Sequence, residues 1–120
     1  MKYRYVIIFV SILFSCCRND RQNITIQGTV NDTDNGVPLA GVSVTIICWK
    51  YGNSPDASYT ESETKVTTTD ENGRYQMDFD KGAFVEIEVS MNNYINGNES
   101  MEICKSKNTI NISLQKKQTK

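Results

Sequence analysis

The most reactive side chains are four cysteines, Cys16, Cys17, Cys48 and Cys104, in a chain of 120 residues that contains no His. Without an imidazole, neither a Ser-His-Asp triad nor a Cys-His pair can form, and zinc would have no imidazole ligand. No nucleophile with a neighbouring base, and no pair of carboxylates in a recognisable catalytic motif, can be identified in the sequence. We therefore expect no enzyme, no catalytic residue and no cofactor.

Cys48 and Cys104 are the candidates for a disulfide, because cysteines tend to pair in an oxidising compartment. Cys48 has the same strand parity as Val44 and Ile46, which predicts an inward side chain. Cys104 has the opposite parity to Ile103 but stands at a strand end, where parity can break. The alternative is a buried, structural Cys48 and an independent Cys104.

Two further groups of side chains could bind a ligand. Trp49, Tyr51 and Tyr59 flank the longest predicted loop, where flat aromatic rings could stack on a sugar or a small ligand. The alternative is that Trp49 closes the open edge of the core. Separately, Asp32, Asp34 and Asp70 could bring oxygen ligands to calcium, although such turn sequences are commonest as plain turns and we expect no metal.

The first fifteen residues have the order of a signal peptide. Lys2 and Arg4 precede the apolar run Val6 to Phe14, which is interrupted only by Ser11 and is followed by Ser15 and Cys16. That run is shorter than the roughly 20 residues that a membrane-spanning helix needs. A removable signal over residues 1–15 is therefore predicted.

Leu13-Phe14-Ser15-Cys16 resembles the lipobox of bacterial lipoproteins. The resemblance implies that Cys16 becomes the first residue and carries a thioether diacylglycerol and an amide-linked chain such as palmitate. Residues 16–23 would then form the lipid anchor and a short tether, with Cys17 either a bystander or a second candidate for modification. We expect a bacterial envelope protein attached to the outer membrane through this lipid, and an ordinary secretory signal is the alternative.

The sequence predicts an all-β domain over residues 24–115 and a charged tail over residues 116–120. Val, Ile and Thr far outnumber Leu and Ala, and apolar and polar residues alternate with a period of two. Seven strands are predicted, around residues 24–30, 42–49, 65–69, 74–79, 84–91, 101–103 and 110–114. Since each strand is half apolar, two sheets must face one another, which predicts a seven-stranded antiparallel β-sandwich.

Alternating strand directions would gather the loops at the two ends of the sandwich. The acidic and Asn-rich connections would share one end. The other end would hold the start of the first strand and a group of lysines, which we expect to face the membrane: Lys50, Lys81, Lys105 and Lys107.

Several elements of this domain recur in order in a known family. They are Gly28 and Val30; Pro38, Leu39, Gly41 and Val42; Thr69, Asp70, Gly73 and Tyr75; and Val89 and Ser90. With these elements the chain resembles the carboxypeptidase-regulatory-like domain over residues 24–94. The resemblance implies a transthyretin-like (prealbumin-like) sandwich of Greek-key type and a non-catalytic module.

The net charge of -1 gives no excess of basic residues of the kind that nucleic-acid-binding proteins use. Together these observations predict a lipid-anchored, non-catalytic domain that has a structural role or docks an envelope protein. The alternative is a lipoprotein that binds carbohydrate or another small ligand through the region from Trp49 to Tyr59.

Overall fold

The computed structural model describes residues 20–51 and 59–118 of the chain. The predicted signal over residues 1–15, Cys16, Cys17 and most of the tether lie outside the described residues. The strands are β1 (Arg21–Asp32), β2 (Ser43–Lys50), β3 (Glu61–Thr68), β4 (Arg74–Gly82), β5 (Phe84–Ser90), β6 (Gly97–Glu102), β7 (Lys107–Thr109) and β8 (Ile112–Leu114). Within the described ranges there is no helix long and apolar enough to cross a membrane.

Two four-stranded sheets form the sandwich. The first has the order β4-β1-β7, with β8 also paired to β1, and the second has the order β3-β2-β5-β6. The chain passes between the sheets at Ala83, the single residue that separates β4 from β5. The predicted all-β sandwich is confirmed.

The core is built from the alternating apolar residues of both sheets. In β2 the even-numbered side chains from Val44 to Cys48 are fully buried, and they lie opposite Val89, Ile87 and Val85 of β5. Burying a side chain of this kind stabilises the fold by about 1.5–3 kcal/mol. The fully buried large side chains are Ile24, Ile26, Val30, Val42, Val44, Ile46, Val85, Ile87, Val89, Ile103, Asn108 and Leu114.

The last predicted strand differs from the expectation in number and direction. Only β8 falls within the predicted residues 110–114, and an additional strand, β7, precedes it. Both pair with β1 in parallel, so the described part has eight strands and is not wholly antiparallel. The ladder breaks at Ile110 and Asn111: the Asn111 Oδ1 accepts the amide of Thr29 at 3.0 Å, in place of a backbone carbonyl. The Asn111 side chain therefore accepts a hydrogen bond from β1 at the position where the backbone pairing between β7 and β8 is interrupted.

The Thr-rich strand β3 faces the other way from the prediction. Val66 is predicted to point inward, but it lies opposite the outward-facing Thr45 and is 61% exposed. Lys65 lies opposite the buried Ile46 instead. A single apolar residue among threonines did not fix which face of this strand is buried.

The loops gather at two ends, as the alternation of strand directions predicts. At the N-terminal end, where β1 begins, the Tyr51 amide donates to Asp20 Oδ1 at 2.8 Å and the Ala83 amide to the carbonyl of Trp49 at 2.7 Å. At the far end, where β1 finishes, the Val30 amide donates to the carbonyl of Gly73 at 2.8 Å. At about 3.3 Å per residue, β1 separates the two ends by about 40 Å.

Candidate functional site

The acidic loops at the far end are occupied by their own hydrogen bonds. Asp32 is only 4% exposed, and its Oδ2 accepts the Tyr94 hydroxyl at 2.6 Å. Its Oδ1 accepts the amides of Asp34 at 2.8 Å and Asn35 at 3.4 Å. The Tyr94 hydroxyl, followed by these amides, lowers the pKa of the Asp32 carboxyl and keeps it ionised. Asp32 thus joins two loops that lie far apart in sequence.

Asp70 has the corresponding role in the hairpin between β3 and β4. Its Oδ1 accepts the amides of Asn72 and Arg74, both at 2.9 Å, and the bond from Arg74 is the main cause of its lowered pKa. In residues 20–51 and 59–118 no group of three or more His, Cys, Asp or Glu side chains can hold a metal ion. Within these residues Asp32, Asp34 and Asp70 are not brought together as a metal-binding group, and loop amides donate to carboxylate oxygens of Asp32 and Asp70.

The three predicted aromatic residues do come together, and a fourth joins them. The Tyr59 ring lies 4.8 Å from the Tyr51 ring, 6.3 Å from the Trp49 ring and 5.8 Å from the Phe84 ring, measured between ring centres. Trp49 and Phe84 lie opposite each other in β2 and β5, on the outer face of the second sheet. Trp49 therefore does not close the core. We call these four residues the aromatic cluster.

The aromatic cluster is partly closed and partly open. The Trp49 Nε1 donates to Glu86 Oε1 at 2.7 Å, which fixes the indole on the sheet. Burial, followed by its hydrogen bond with Tyr51, raises the pKa of Tyr59 to about 12, yet Tyr59 is 39% exposed. The alternation of β5 puts Phe84 and Glu86 on the outer face, but only the pairing of β5 with β2 brings them to Trp49.

Of the two alternatives for Cys48 and Cys104, the structure excludes the bond between them. Cys48 is free and fully buried, and its thiol contacts the Lys81 carbonyl at 3.7 Å. Burial raises the pKa of this thiol to about 11, so it is protonated near neutral pH. Cys104 is disulfide-bonded. The candidate bond between Cys48 and Cys104 is therefore wrong, and the alternative of a buried, structural Cys48 is confirmed.

The edge strands of the second sheet carry charged residues on their core-facing side. In β3, Lys65 lies opposite Ile46, and its Nζ donates to the Asp78 carbonyl of β4 at 2.7 Å. In β6, Glu99 lies opposite Ile87. Inward-pointing charges on edge strands hinder the addition of a further strand. A partner is therefore expected to contact a face or an end of the sandwich instead of an edge.

The far end exposes two β-branched side chains beside a polar crevice. Val37 is 51% exposed and Ile95 is 53% exposed. Both lie next to the hydrogen-bonded pair Asp32 and Tyr94. The Asp32 amide donates to the carbonyl of Val37 at 2.9 Å, and Ile95 follows Tyr94 in the chain. We call these residues and the crevice the far-end surface. The crevice has a volume of about 520 Å³ and is lined by Gly41, Ser43, Ser90, Met91, Asn92, Asn93, Tyr94, Asn96 and Lys117.

The predicted lysines do not make the N-terminal end simply basic. Lys50 lies 4.0 Å from Glu61, and Glu102 lies opposite Phe84 at the same end. These acids offset part of the positive charge. At the N-terminal end the aromatic cluster is a more distinctive feature than the lysines. At the opposite end the distinctive feature is the far-end surface.

The fold and its surfaces define an all-β sandwich module, and comparisons of structure agree. Catechol 1,2-dioxygenase from Pseudomonas arvilla C-1 is similar at a TM-score of 0.61, with 14% identity over 82% of this chain and 53% of that chain. For 3-chlorocatechol 1,2-dioxygenase from Rhodococcus opacus the TM-score is 0.60, with 12% identity over 79% of this chain and 60% of that one. A streptococcal ancillary pilin gives a TM-score of 0.58, with 14% identity over 80% and 30%.

These likenesses show the β-sandwich fold alone, since the identities are low. The chain spans 60% or less of each of these proteins. No protein-family model and no curated protein matches the chain.

Proposed function

We propose that this chain is a non-catalytic β-sandwich module that is anchored to a bacterial envelope membrane by lipid on Cys16 and docks another envelope protein through its far-end surface. The charged, apolar and small-residue order before Cys16 supports the anchor. We further propose that the module is of the carboxypeptidase-regulatory-like type and that the membrane is the outer membrane.

One observation carries the docking role: the chain enters the sandwich at one end and exposes apolar side chains at the opposite end. The chain enters at the N-terminal end, where Asp20 accepts the Tyr51 amide. The exposed Val37 and Ile95 lie at the other end of β1, about 40 Å away. A domain held by its N-terminus therefore presents these apolar side chains away from the anchor. Apolar contacts surrounded by polar groups are the usual composition of a protein interface.

A non-catalytic role is supported by the cysteine and by the loops. The thiol of Cys48 is buried and protonated, and the chain has no His that could activate it. The carboxylates of Asp32 and Asp70 are hydrogen-bonded to their own loops.

The docking role predicts contact with one protein from the far end. A photo-crosslinking amino acid placed at Val37 or at Ile95 in the full chain is expected to capture the same envelope protein in living cells. The combined change Val37→Glu and Ile95→Glu should weaken binding to that protein at least about tenfold, because it puts two charges into an apolar contact. Binding is measured by titration with the purified partner.

The control is Val66, which is 61% exposed on the outer face of the second sheet. Val66→Glu should leave binding unchanged, and a crosslinker at this position should not capture the partner. Equal capture from positions 37, 66 and 95, or full binding by the double variant, would contradict docking through the far-end surface.

The aromatic cluster favours a second candidate function, carbohydrate binding. Tyr59 is exposed above Trp49 and Phe84, and Glu86 beside them can accept hydrogen bonds from hydroxyl groups. Aromatic rings with nearby acceptors are suited to the apolar faces and hydroxyl groups of sugars. The rings pack mainly on one another, however, so this surface offers less open ring area than a sugar platform needs, and we place it second.

Carbohydrate binding predicts a loss of affinity in Tyr59→Ala. A glycan selected on an array should bind the variant up to about tenfold more weakly, the effect of removing one aromatic contact. Trp49 is the only Trp of the chain, so its fluorescence can follow the titration. Val66→Ala on the same outer face is the control. If no glycan on the array binds, or if Tyr59→Ala binds as wild type does, this candidate is excluded.

A further inference from the structure

The outer face of the first sheet carries an array of polar side chains towards its far end. In the antiparallel pairing of β1 with β4, Gln27 lies opposite Gln76, and the next outward-facing pair is Thr29 and Arg74. On the other side of β1, Thr109 of β7 lies opposite Gln27. Since neighbouring strands are about 4.8 Å apart, the array extends about 10 Å across the three strands.

These side chains line a crevice of about 510 Å³, which we call the polar crevice. One wall is the segment after β7, which lies so close to β1 that a Cβ on Gly28 would be 1.8 Å from the Ile110 carbonyl oxygen. The next residue, Asn111, directs its Oδ1 at β1 and accepts the amide of Thr29 at 3.0 Å and its hydroxyl at 3.2 Å. Because the two polar atoms of a side-chain amide diverge, the Asn111 Nδ2 remains a donor at this wall.

The longest side chains of the polar crevice are not occupied by one another. Within residues 20–51 and 59–118, the Arg74 guanidinium and the side-chain amides of Gln27 and Gln76 make no hydrogen bond or ion pair. The same face is different nearer the N-terminal end, where the Thr25 hydroxyl donates to Asp78 Oδ1 at 3.0 Å. The donors and acceptors of the polar crevice are therefore open to solvent, and a ligand can replace the water that they bind.

The composition of the polar crevice favours a neutral ligand with many hydroxyl groups. Among the described residues that line it, Arg74 carries a positive charge and Asp70 a negative one, so the charges balance. Asp70 Oδ1 accepts amides of its own turn, and Oδ2 remains an acceptor. The aromatic residue of the lining, Tyr75, is only 4% exposed. Hydroxyl groups both donate and accept, as side-chain amides do, whereas an apolar ligand would leave these groups unpaired.

We propose that the polar crevice binds a neutral oligosaccharide through the hydroxyl groups of its sugar rings. The fork of the Arg74 guanidinium donates to neighbouring hydroxyl groups of one ring, and Asp70 accepts from them. Gln27 and Gln76 donate to and accept from the hydroxyl groups of the adjoining ring. This site is separate from the aromatic cluster, which lies on the second sheet at the N-terminal end. It goes beyond the proposed docking role and depends neither on the lipid anchor nor on the far-end surface.

Titration calorimetry with the full chain, purified in a detergent without a sugar headgroup, tests the proposal. The probes are oligosaccharides of glucose, xylose, mannose, galactose and N-acetylglucosamine, with oligogalacturonate as the charged comparison. At least one neutral probe should bind with a Kd between about 1 μM and 1 mM. Arg74→Ala and Gln76→Ala should each weaken its binding about tenfold. Both side chains are exposed and make no bond in the described part of the chain, so the fold should be unchanged.

Two control variants locate the binding. Lys107→Ala lies on the same outer face, opposite Thr25, and should bind the sugar as the wild-type chain does. Tyr59→Ala, in the aromatic cluster, should also bind normally. A loss in Tyr59→Ala with none in Arg74→Ala would assign the sugar to the aromatic cluster and overturn the proposal. It is equally overturned if no neutral probe binds, if oligogalacturonate binds more tightly than all of them, or if Lys107→Ala loses as much affinity as Gln76→Ala.

Discussion

Gly28→Ala is expected to destabilise the sandwich by more than about 4 kcal/mol, which is a large part of the stability of a small domain. A Cβ atom on Gly28 would lie 1.8 Å from the Ile110 carbonyl oxygen and 2.6 Å from its carbon. Both are backbone atoms, so no side-chain rotation relieves the overlap. The connection between β7 and β8 would have to move away from β1.

The surroundings of Ile110 make such a movement costly. Its carbonyl accepts the Tyr75 hydroxyl at 2.6 Å, and its amide donates to the Gln27 carbonyl at 2.8 Å. Displacing Ile110 would break both bonds and leave the buried Tyr75 hydroxyl without a partner, which costs a further 1–3 kcal/mol or so. The loss of stability therefore comes from packing and from hydrogen bonds together.

Urea unfolding followed by circular dichroism measures this effect. The control is Gly36→Ala, because Gly36 lies in the connection after β1 with a φ of 72° and no atom within 4 Å of an added Cβ. The control should lose only about 1–2 kcal/mol, from the left-handed backbone. If Gly28→Ala were as stable as the control, the parallel pairing of β7 and β8 with β1 could not be as described.

The alternation of residues predicted the sandwich well where strands are rich in apolar residues. In β2 and β5 every second residue is apolar and small enough to pack in the core, and these residues form the buried face. The same rule failed at Val66, because β3 lies at an edge and its neighbours are threonines and charges. It also could not give the direction of β7 and β8, since a parallel partner depends on how the chain crosses between sheets.

The candidate sites show a similar limit. The positive φ of Gly73 depends on local turn chemistry, because four neighbouring residues determine the hairpin. By contrast, Asp32 is bonded to Tyr94, 62 residues away. Nothing local marks Asp32 as a residue that joins two loops, so the sequence alone offers only a plain turn or, as an alternative, calcium ligands. Which residues a side chain meets across the sandwich depends on the strand order, and local sequence does not give that order.

Cys16→Ser is expected to abolish lipid attachment completely, since the thioether needs a sulfur atom that Ser lacks. In the wild-type chain, the acyl chains of the modified cysteine would each hold the protein on the membrane with about 0.8 kcal/mol for every buried methylene. In the described part of the chain, the large apolar side chains are mostly inside the sandwich.

Growth with a clickable fatty acid measures this effect in whole cells. The wild-type chain should carry the label and lack residues 1–15, whereas Cys16→Ser should carry no label and keep Met1. Cys48→Ser is the matched control, because it removes a thiol that lies in the core and should leave both the label and the cleavage unchanged. Label that persists in Cys16→Ser and disappears in Cys17→Ser would move the anchor by one residue.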